Sequence, residues 1–323
     1  MKSPAASALT HRGHRATSGS SMHRVFLWCL AGVSGCSSKT DPQPEPVATA
    51  ASATVSASPS AAASPPPRPR PLEVRMVALK GGVFTMGTDA LAPQGELDAA
   101  RPEHMATVPA FHIDVTEVTV DAYRRCVEDG VCSLPANKPR VLQADPRCSW
   151  YVADRGNHPV NCVTWHQADG YCKWTGKQLP TEEMWEFAAR GKHGRDFPWG
   201  PGVPNHRWGA PGDVDKRLQG SCRNRHGYSD YDSDYDTIPV GCAPLGATPE
   251  GVLDLAGNVA EWTSSPGCDY ATKKCDDNRR ILKGGINDWS TFPHWMLGAT
   301  RSAGDPAAAM STIGFRCARL DKP

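Results

Sequence analysis

The chain has 323 residues, of which 30 are glycine and 29 are proline, and its formal net charge at pH 7 is +1. A charge so close to zero excludes a general electrostatic case for nucleic-acid binding, which depends on a basic surface. The frequent glycines and prolines predict short elements joined by many loops.

The first segment has the layout of a secretory signal. Basic residues precede a short apolar run, VFLWCLAGV at 25–33, which is too short to span a bilayer. The VSGC that follows is similar to a bacterial lipobox, in which the cysteine after the cleavage site carries lipid. We therefore expect a signal peptide over 1–35, starting at Met1 or Met22, and a lipid on Cys36. An ordinary signal peptide with a chance cysteine is the alternative.

The segment after Cys36 predicts a tether. Residues 37–72 are mostly Ala, Ser and Pro, with almost no large apolar side chain. Such a segment cannot bury enough apolar surface to offset its ordering entropy. A lipidated tether over 36–72 then leaves one globular domain, 73–323, of about 250 residues, which is enough for a core. These features predict an exported protein held by its lipid at the membrane of a bacterial cell envelope, on the periplasmic or the outer face.

Three helices are predicted within the domain. The first is capped by Thr119 and ends at Gly130. The second covers about 165–174. The third follows the capping residue Thr181, and its apolar spacing predicts a buried stripe of Met184, Trp185, Ala188 and Ala189. Since the strands elsewhere look short, the sequence predicts an α+β domain that is rich in loops.

Cysteine usage supports export. The chain has 12 cysteines, and ten remain once Cys29 leaves with the signal and Cys36 carries lipid. An even number in an exported domain predicts disulfides. Short separations favour the pairs Cys126–Cys132 and Cys268–Cys275. A zinc site is the alternative, although no CxxC pair or histidine cluster stands behind it.

Short motifs in a fixed order run through nearly all of residues 73–320. They are MVALKGGVFTMGT (76–88), DVTEVTVDAYRRCVEDG (114–130), HPVNCVTWHQADGYCKW (158–174), KWTGKQLPTEEMWEFAARG (173–191), FPWG (197–200), TIPVG (237–241), GNVAEW (257–262), LKGG (282–285) and GFRCA (314–318). Together they resemble the formylglycine-generating enzyme family, the sulfatase-modifying factors. The resemblance implies an α+β fold with a C-type-lectin-like core that disulfides and calcium stabilise.

The same resemblance implies further cysteine pairs. It pairs Cys172 with Cys317, and elimination then leaves Cys148–Cys162 and Cys222–Cys242. A second family disulfide is missing at both ends, because its positions correspond to Ala189 and Gly298. Because both cysteines are absent together, neither position holds an unpaired cysteine.

The segment DLAGNVAE at 254–261 resembles the family's calcium loop. The resemblance implies carboxylate ligands from Asp254 and Glu261 and carbonyl ligands from Gly257 and Val259, which are the hard oxygens that calcium prefers. A turn capped by polar side chains is the alternative.

A second family calcium site falls in the segment 222–236, where four aspartates alternate and a solvated acidic loop is the alternative. The four residues are Asp230, Asp232, Asp234 and Asp236.

Members of the family oxidise a cysteine of a sulfatase. They use copper that is held by two of their own cysteines, just after LKGG. Here residues 286–302 read INDWSTFPHWMLGATRS, without any cysteine. The first copper position falls at Trp289 and the second at Pro293 or His294. Cu(I) prefers soft sulfur ligands, and none of these residues provides a thiolate. Copper is therefore not expected.

Two functions remain open. The first is a surface-anchored binding or accessory domain that kept the family's groove and takes a peptide, glycan or protein ligand. The second is a formylglycine generator or another metal-dependent oxidase with a rebuilt site, since a pyoverdine-maturation relative also works without the cysteine pair. The missing pair favours the first. The groove or rebuilt-site candidates are Asp288, Trp289, His294, Trp295, Arg301 and Ser302.

Overall fold

The structure is a computed structural model that describes residues 74–90, 98–135, 147–201, 237–285 and 293–321. Within these ranges the chain forms nine strands and three α-helices. The strands are β1 (Met76–Leu79), β2 (Gly82–Met86), β3 (His104–Val108), β4 (Phe111–Asp114), β5 (Ala260–Cys268), β6 (Cys275–Lys283), β7 (Arg301–Gly304), β8 (Ile313–Gly314) and β9 (Ala318–Leu320). The helices are α1 (Val120–Glu128), α2 (Trp165–Trp174) and α3 (Glu182–Arg190).

The strands form three small sheets. One has the order β1-β4-β9, so the first and last described strands share β4 as a neighbour. A second sheet contains only β2 and β3, and a third has the order β7-β6-β5-β8. Most pairs are antiparallel, and β5 with β8 is a parallel pair.

All three helix predictions are confirmed. The Thr119 side chain accepts a hydrogen bond from the Ala122 amide, and Gly130 follows α1 with a φ of 71°. The Thr181 side chain caps α3 by accepting from the Met184 amide. At α2 the cap is a reciprocal capping box with Thr164, which the sequence reasoning did not identify.

Helix α3 is buried on more sides than its apolar stripe predicts. Its four stripe residues are buried as expected, but Glu182, Glu186 and Arg190 are buried too. A helix with charged residues on its inner faces needs charged partners on neighbouring elements, because unpaired buried charges are costly. Those partners define the site described below.

Four of the predicted disulfides are confirmed, and Cys172–Cys317 closes the longest separation, 145 residues. This bond joins α2 to the residue just before β9. Cys242 is also disulfide-bonded, while Cys222 lies outside the described residues. The four pairs are Cys126–Cys132, Cys148–Cys162, Cys172–Cys317 and Cys268–Cys275.

The signal segment 1–35, Cys36 and the tether lie outside the described residues and stay predictions. Among the helices that the structure does describe, none combines the length and apolar character needed to cross a bilayer.

Candidate functional site

Three clusters of buried charges surround α3 and bring the sequence motifs together. We call them the carboxylate cluster (Glu117, Asp254, Glu261 and Arg316), the Glu182 cluster (Glu182, Tyr270 and Arg301) and the Glu186 cluster (Glu186, Arg190 and Lys283). Every one of these side chains is buried.

In the carboxylate cluster, Glu261 is tied to Arg316. The Arg316 Nη2 atom lies 2.7 Å from Glu261 Oε1, and its Nε atom lies 2.7 Å from Oε2. The Trp185 indole also donates to Oε2, at 2.8 Å. Both oxygens of this predicted calcium ligand therefore already accept strong hydrogen bonds from protein donors.

Asp254 is held differently, by the backbone of its own loop and a neighbouring turn. Its Oδ2 atom accepts a hydrogen bond from the Gly241 amide at 2.5 Å, and its carbonyl accepts from Arg316 at 3.0 Å. The loop takes left-handed backbone angles at Asp254, Gly257 and Asn258, with φ of 57°, 91° and 61°. The Gly257 amide donates to the Gly284 carbonyl at 2.8 Å, which joins this loop to LKGG.

Glu117 is the member that the sequence reasoning missed. Its side chain is fully buried, and neither carboxylate oxygen has a hydrogen-bond partner. Burial, followed by repulsion from Asp254, raises the pKa of Glu117 well above its ordinary value. Burial also raises the pKa of Asp254. A proton held on one of the two carboxyls, or a cation beside them, would supply the missing partner.

These observations test how far the residues fit calcium. Among the residues that the structure describes, no three carboxylate, histidine or cysteine side chains come together as a ready metal site. Glu117 and Asp254 nevertheless fit a hard cation, since two buried carboxyls lie close together and burial raises the pKa of each. Glu261 fits poorly, because Arg316 and Trp185 engage both of its oxygens.

In the Glu182 cluster, the Arg301 guanidinium is fully engaged inside the protein. Its Nε and Nη2 atoms donate to the two oxygens of Glu182, at 2.5 and 2.9 Å. Its Nη1 atom donates to the carbonyls of Ala99 and Cys268. The ring of Tyr270 covers it, with the guanidinium carbon 4.0 Å from the ring centroid.

Tyr270 completes this cluster from the loop that Cys268–Cys275 closes. Its hydroxyl donates to Glu182 at 2.7 Å, and burial beside that carboxylate raises the pKa of the phenol. The cluster thus fixes the β5–β6 loop against α3. Ser302, the neighbouring groove candidate, is exposed on β7, and its part in a groove stays a prediction.

In the Glu186 cluster, one carboxylate joins three motifs. Its Oε1 atom accepts from the Gly87 amide at 2.7 Å and from Arg190 at 2.9 Å, and its Oε2 atom accepts from Lys283 at 2.8 Å. The Gly87 turn, α3 and the LKGG strand are therefore held around a single buried anion.

The glycine pair that ends LKGG allows a close approach. A Cβ atom on Gly285 would lie 2.3 Å from the Trp295 carbonyl oxygen, and the residue has a φ of 70°. Only glycine suits both conditions, because a side chain there is strained and also clashes. This glycine thus lets the end of LKGG lie directly against the backbone of Trp295.

The two positions that correspond to the family's second disulfide, Ala189 and Gly298, lie next to each other in the structure. A Cβ atom on Gly298 would lie 3.4 Å from the Cβ atom of Ala189, close to the separation found in disulfides. The same atom would lie 2.6 Å from Cγ of Arg190, so an arginine side chain now occupies this space. The juxtaposition supports the alignment of these two positions with the family's cysteine pair.

Several predicted site residues cannot be placed. Asp288, Trp289 and the four aspartates of 230–236 lie outside the described residues. Pro293 and His294 belong to a 3-10 helix, Pro293–Met296, whose backbone alone is described at these two positions. Trp295, in the same helix, is half-buried, and its role in a groove stays a prediction.

Comparisons with known proteins agree with this fold. The family model of the sulfatase-modifying factor enzyme 1-like domain matches residues 61–320. The inactive C-alpha-formylglycine-generating enzyme 2 of Bos taurus is 33% identical, over 76% of this chain and 88% of that protein. The formylglycine-generating enzyme of Streptomyces coelicolor is also 33% identical, over 75% of this chain and 88% of that protein.

Among solved structures, PvdO from Pseudomonas aeruginosa is 25% identical with a TM-score of 0.52, covering 76% of this chain and 94% of that one. The Treponema denticola variable protein 1 has the same TM-score at 18% identity, over 76% and 95% of the two chains, which shows the fold alone. The motifs, the disulfides and the family match lead to one conclusion: this chain belongs to the sulfatase-modifying factor family.

Proposed function

We propose that this protein is a lipid-anchored protein of the bacterial cell envelope whose sulfatase-modifying-factor domain binds a partner and performs no copper oxidation. The proposal joins the export signals of the N-terminus to a family domain without its copper ligands. The relatives whose names describe them as inactive support it, because the family already contains members without the activity.

The positions and the bonding of the cysteines support this proposal. All nine cysteines that the structure describes are in disulfides. The other three, Cys29, Cys36 and Cys222, lie outside the described residues, and none falls in the segment 286–302. A Cu(I) site of the family type needs two thiolates close together in that segment, so this chain has no residues to build it.

Calcium is proposed as a structural ligand of the carboxylate cluster. Glu117 and Asp254 would hold it, with carbonyl oxygens from the loop 254–261. Bound calcium would supply the positive charge that two buried carboxyls lack. Arg316 already balances Glu261, and it also ties the loop to β4 through the carbonyls of Asp114 and Val115. The role of calcium here would be structural, as a countercharge inside the domain.

Turnover of a sulfatase peptide tests the loss of oxidase chemistry. The full chain, loaded with Cu(I), is incubated with oxygen and a peptide that carries a sulfatase cysteine. The formylglycine-generating enzyme of Streptomyces coelicolor serves as the active control. We expect no aldehyde above the enzyme-free background, and oxidation of the peptide cysteine by this chain would overturn the proposal.

A rebuilt oxidase is the second candidate, favoured by the likeness to relatives that are named formylglycine-generating enzymes. It requires a metal site among the residues that replace the copper pair, with His294 as its one imidazole. Oxygen uptake that depends on bound iron or copper and disappears in His294→Ala would favour this candidate.

A further inference from the structure

The open edge of β3 is the feature that the proposed function leaves unexplained. In the part of the chain that the structure describes, β3 pairs with β2 alone, and no backbone hydrogen bond joins it to another strand. The N–H and C=O groups of an antiparallel strand alternate between its two sides, so about half of those of β3 point away from β2. A row of such groups is a template for another strand.

A groove of about 500 Å³ runs along this edge. Consecutive residues of β3, from His104 to Val108, form one wall, and the first turn of α3 faces them with Thr181 and Glu183. Leu320 of β9 closes the groove, and Met184 adds a further apolar side chain. The volume falls within the range of binding pockets and suits a short extended peptide.

The edge lacks two of the devices by which proteins protect a free strand, a β-bulge and charged side chains. Its register with β2 runs from Gly82↔Val108 to Met86↔His104 without a bulge. No residue of β3 is lysine, arginine, aspartate or glutamate, whereas charged side chains commonly block such edges. Met105 is 65% exposed on this strand, and Leu320 is 42% exposed in the same groove.

The charge of the groove indicates which kind of ligand it would bind. Among the lining residues that the structure describes, Glu183 is the single carboxylate, and none is lysine or arginine. A ligand with one basic side chain near the first turn of α3 would complement it. The other side chains of the ligand would be apolar at alternate positions, because alternate residues of a strand face the same side.

We propose that an extended segment of a partner protein adds to β3 as a third strand of the β2–β3 sheet. Its backbone pairs with the free edge, apolar side chains fill the space beside Met105, Met184 and Leu320, and one Lys or Arg meets Glu183. The proposal rests on the proposed function, since it names the partner-binding surface of that domain. It places this surface along β3.

Selection of linear peptides against the full chain tests the proposal. A library of random dodecapeptides is displayed on phage, and the selected peptides are synthesised and measured against three proteins. These are the unchanged chain, the edge variant Met105→Lys and the matched control Val83→Lys. Val83 is 50% exposed on β2 but does not line the groove, so the control adds the same charge to the same hairpin.

We expect peptides with alternating apolar residues and one basic residue. Met105→Lys should weaken their binding at least about tenfold, a loss expected for a central contact, and Val83→Lys should change it less than about twofold. The amides of an extended peptide form two alternate sets, and only one set faces β3. Methylation of that set should abolish binding, because it removes the donors that pair with β3, whereas methylation of the other set should not. Glu183→Gln should remove the preference for the basic residue.

Three results would overturn the proposal. They are a selection that yields no binder, binders that Met105→Lys does not affect, and binders that tolerate methylation of either set of amides. Self-association that Met105→Lys abolishes would instead make a second copy of this chain the occupant. The copper assay is independent of all of these, so oxidation of a sulfatase peptide with intact strand pairing would remove the proposed function alone.

Discussion

The substitution Glu117→Gln examines the buried carboxyl that has no partner. Glutamine keeps the shape of the side chain but removes the negative charge next to Asp254. In chelator we expect the variant to be at least as stable as the unchanged protein at pH 8, since it removes a buried carboxyl whose ionisation is unfavourable in the folded state. With calcium the order should reverse, because the variant has lost a carboxylate ligand.

The size of the expected changes in the free energy of unfolding follows from the linkage of folding to the binding of protons and calcium. The folded-state pKa of Glu117 lies well above its ordinary value of 4.5, so the folded state holds a proton that the unfolded chain has released over the interval between the two values. Across that interval the free energy of unfolding falls as pH rises, by up to about 1.4 kcal/mol per pH unit for one proton. Calcium at about 100 times its dissociation constant adds about 2.7 kcal/mol, or about 5–11 °C in Tm for a domain of this size.

The assay is urea unfolding followed by tryptophan fluorescence, from pH 5 to pH 8, in chelator and in calcium. Glu103→Gln is the matched control, because Glu103 is exposed and belongs to none of the three clusters. We expect the control to follow the unchanged protein in every condition. The reasoning about Glu117 is refuted if calcium stabilises Glu117→Gln as much as the unchanged protein, or if the variant keeps the full fall in stability with pH in chelator.

Two further substitutions test the packing around α3, each by urea unfolding beside a control. Arg301→Met leaves the buried Glu182 without its cation and should cost about 3–5 kcal/mol, whereas Lys173→Met, which removes an exposed pair on α2, should cost less than about 1 kcal/mol. Gly285→Ala should cost at least about 1 kcal/mol more than Gly251→Ala, since both residues have a positive φ but only Gly285 has an atom in the way of a new Cβ. Equal losses within either pair would contradict the roles assigned to Arg301 and Gly285.

Much of the fold was predictable, because it depends on local signals. Thr119 and Thr181 cap their helices as their residue types indicate, and the spacing of Met184, Trp185 and Ala188 identifies the buried face of α3. The short-range disulfides were readable from separation alone. Cys172–Cys317 was not, since 145 residues separate its ends, and it required the family resemblance.

The site was predictable only in part, because buried charges depend on partners that are distant in sequence. Glu182 looked like a favourable residue in the first turn of α3, yet it pairs with Arg301, 119 residues away. Glu117 lies in the segment VTEV, in which Val115 and Val118 are buried, and a lone carboxylate on a buried segment was the signal that could have singled it out. The assignment of Glu261 to calcium came from a motif, which does not show that Arg316 competes for the same oxygens.

We propose that this chain lacks the redox chemistry of its family. Metal content by inductively coupled plasma mass spectrometry tests it most directly, on the full chain incubated with calcium, Cu(I) and Fe(II) and then dialysed. We expect calcium to be retained while copper and iron stay at trace levels. Stoichiometric copper or iron that is lost in His294→Ala would contradict it and identify a rebuilt oxidase.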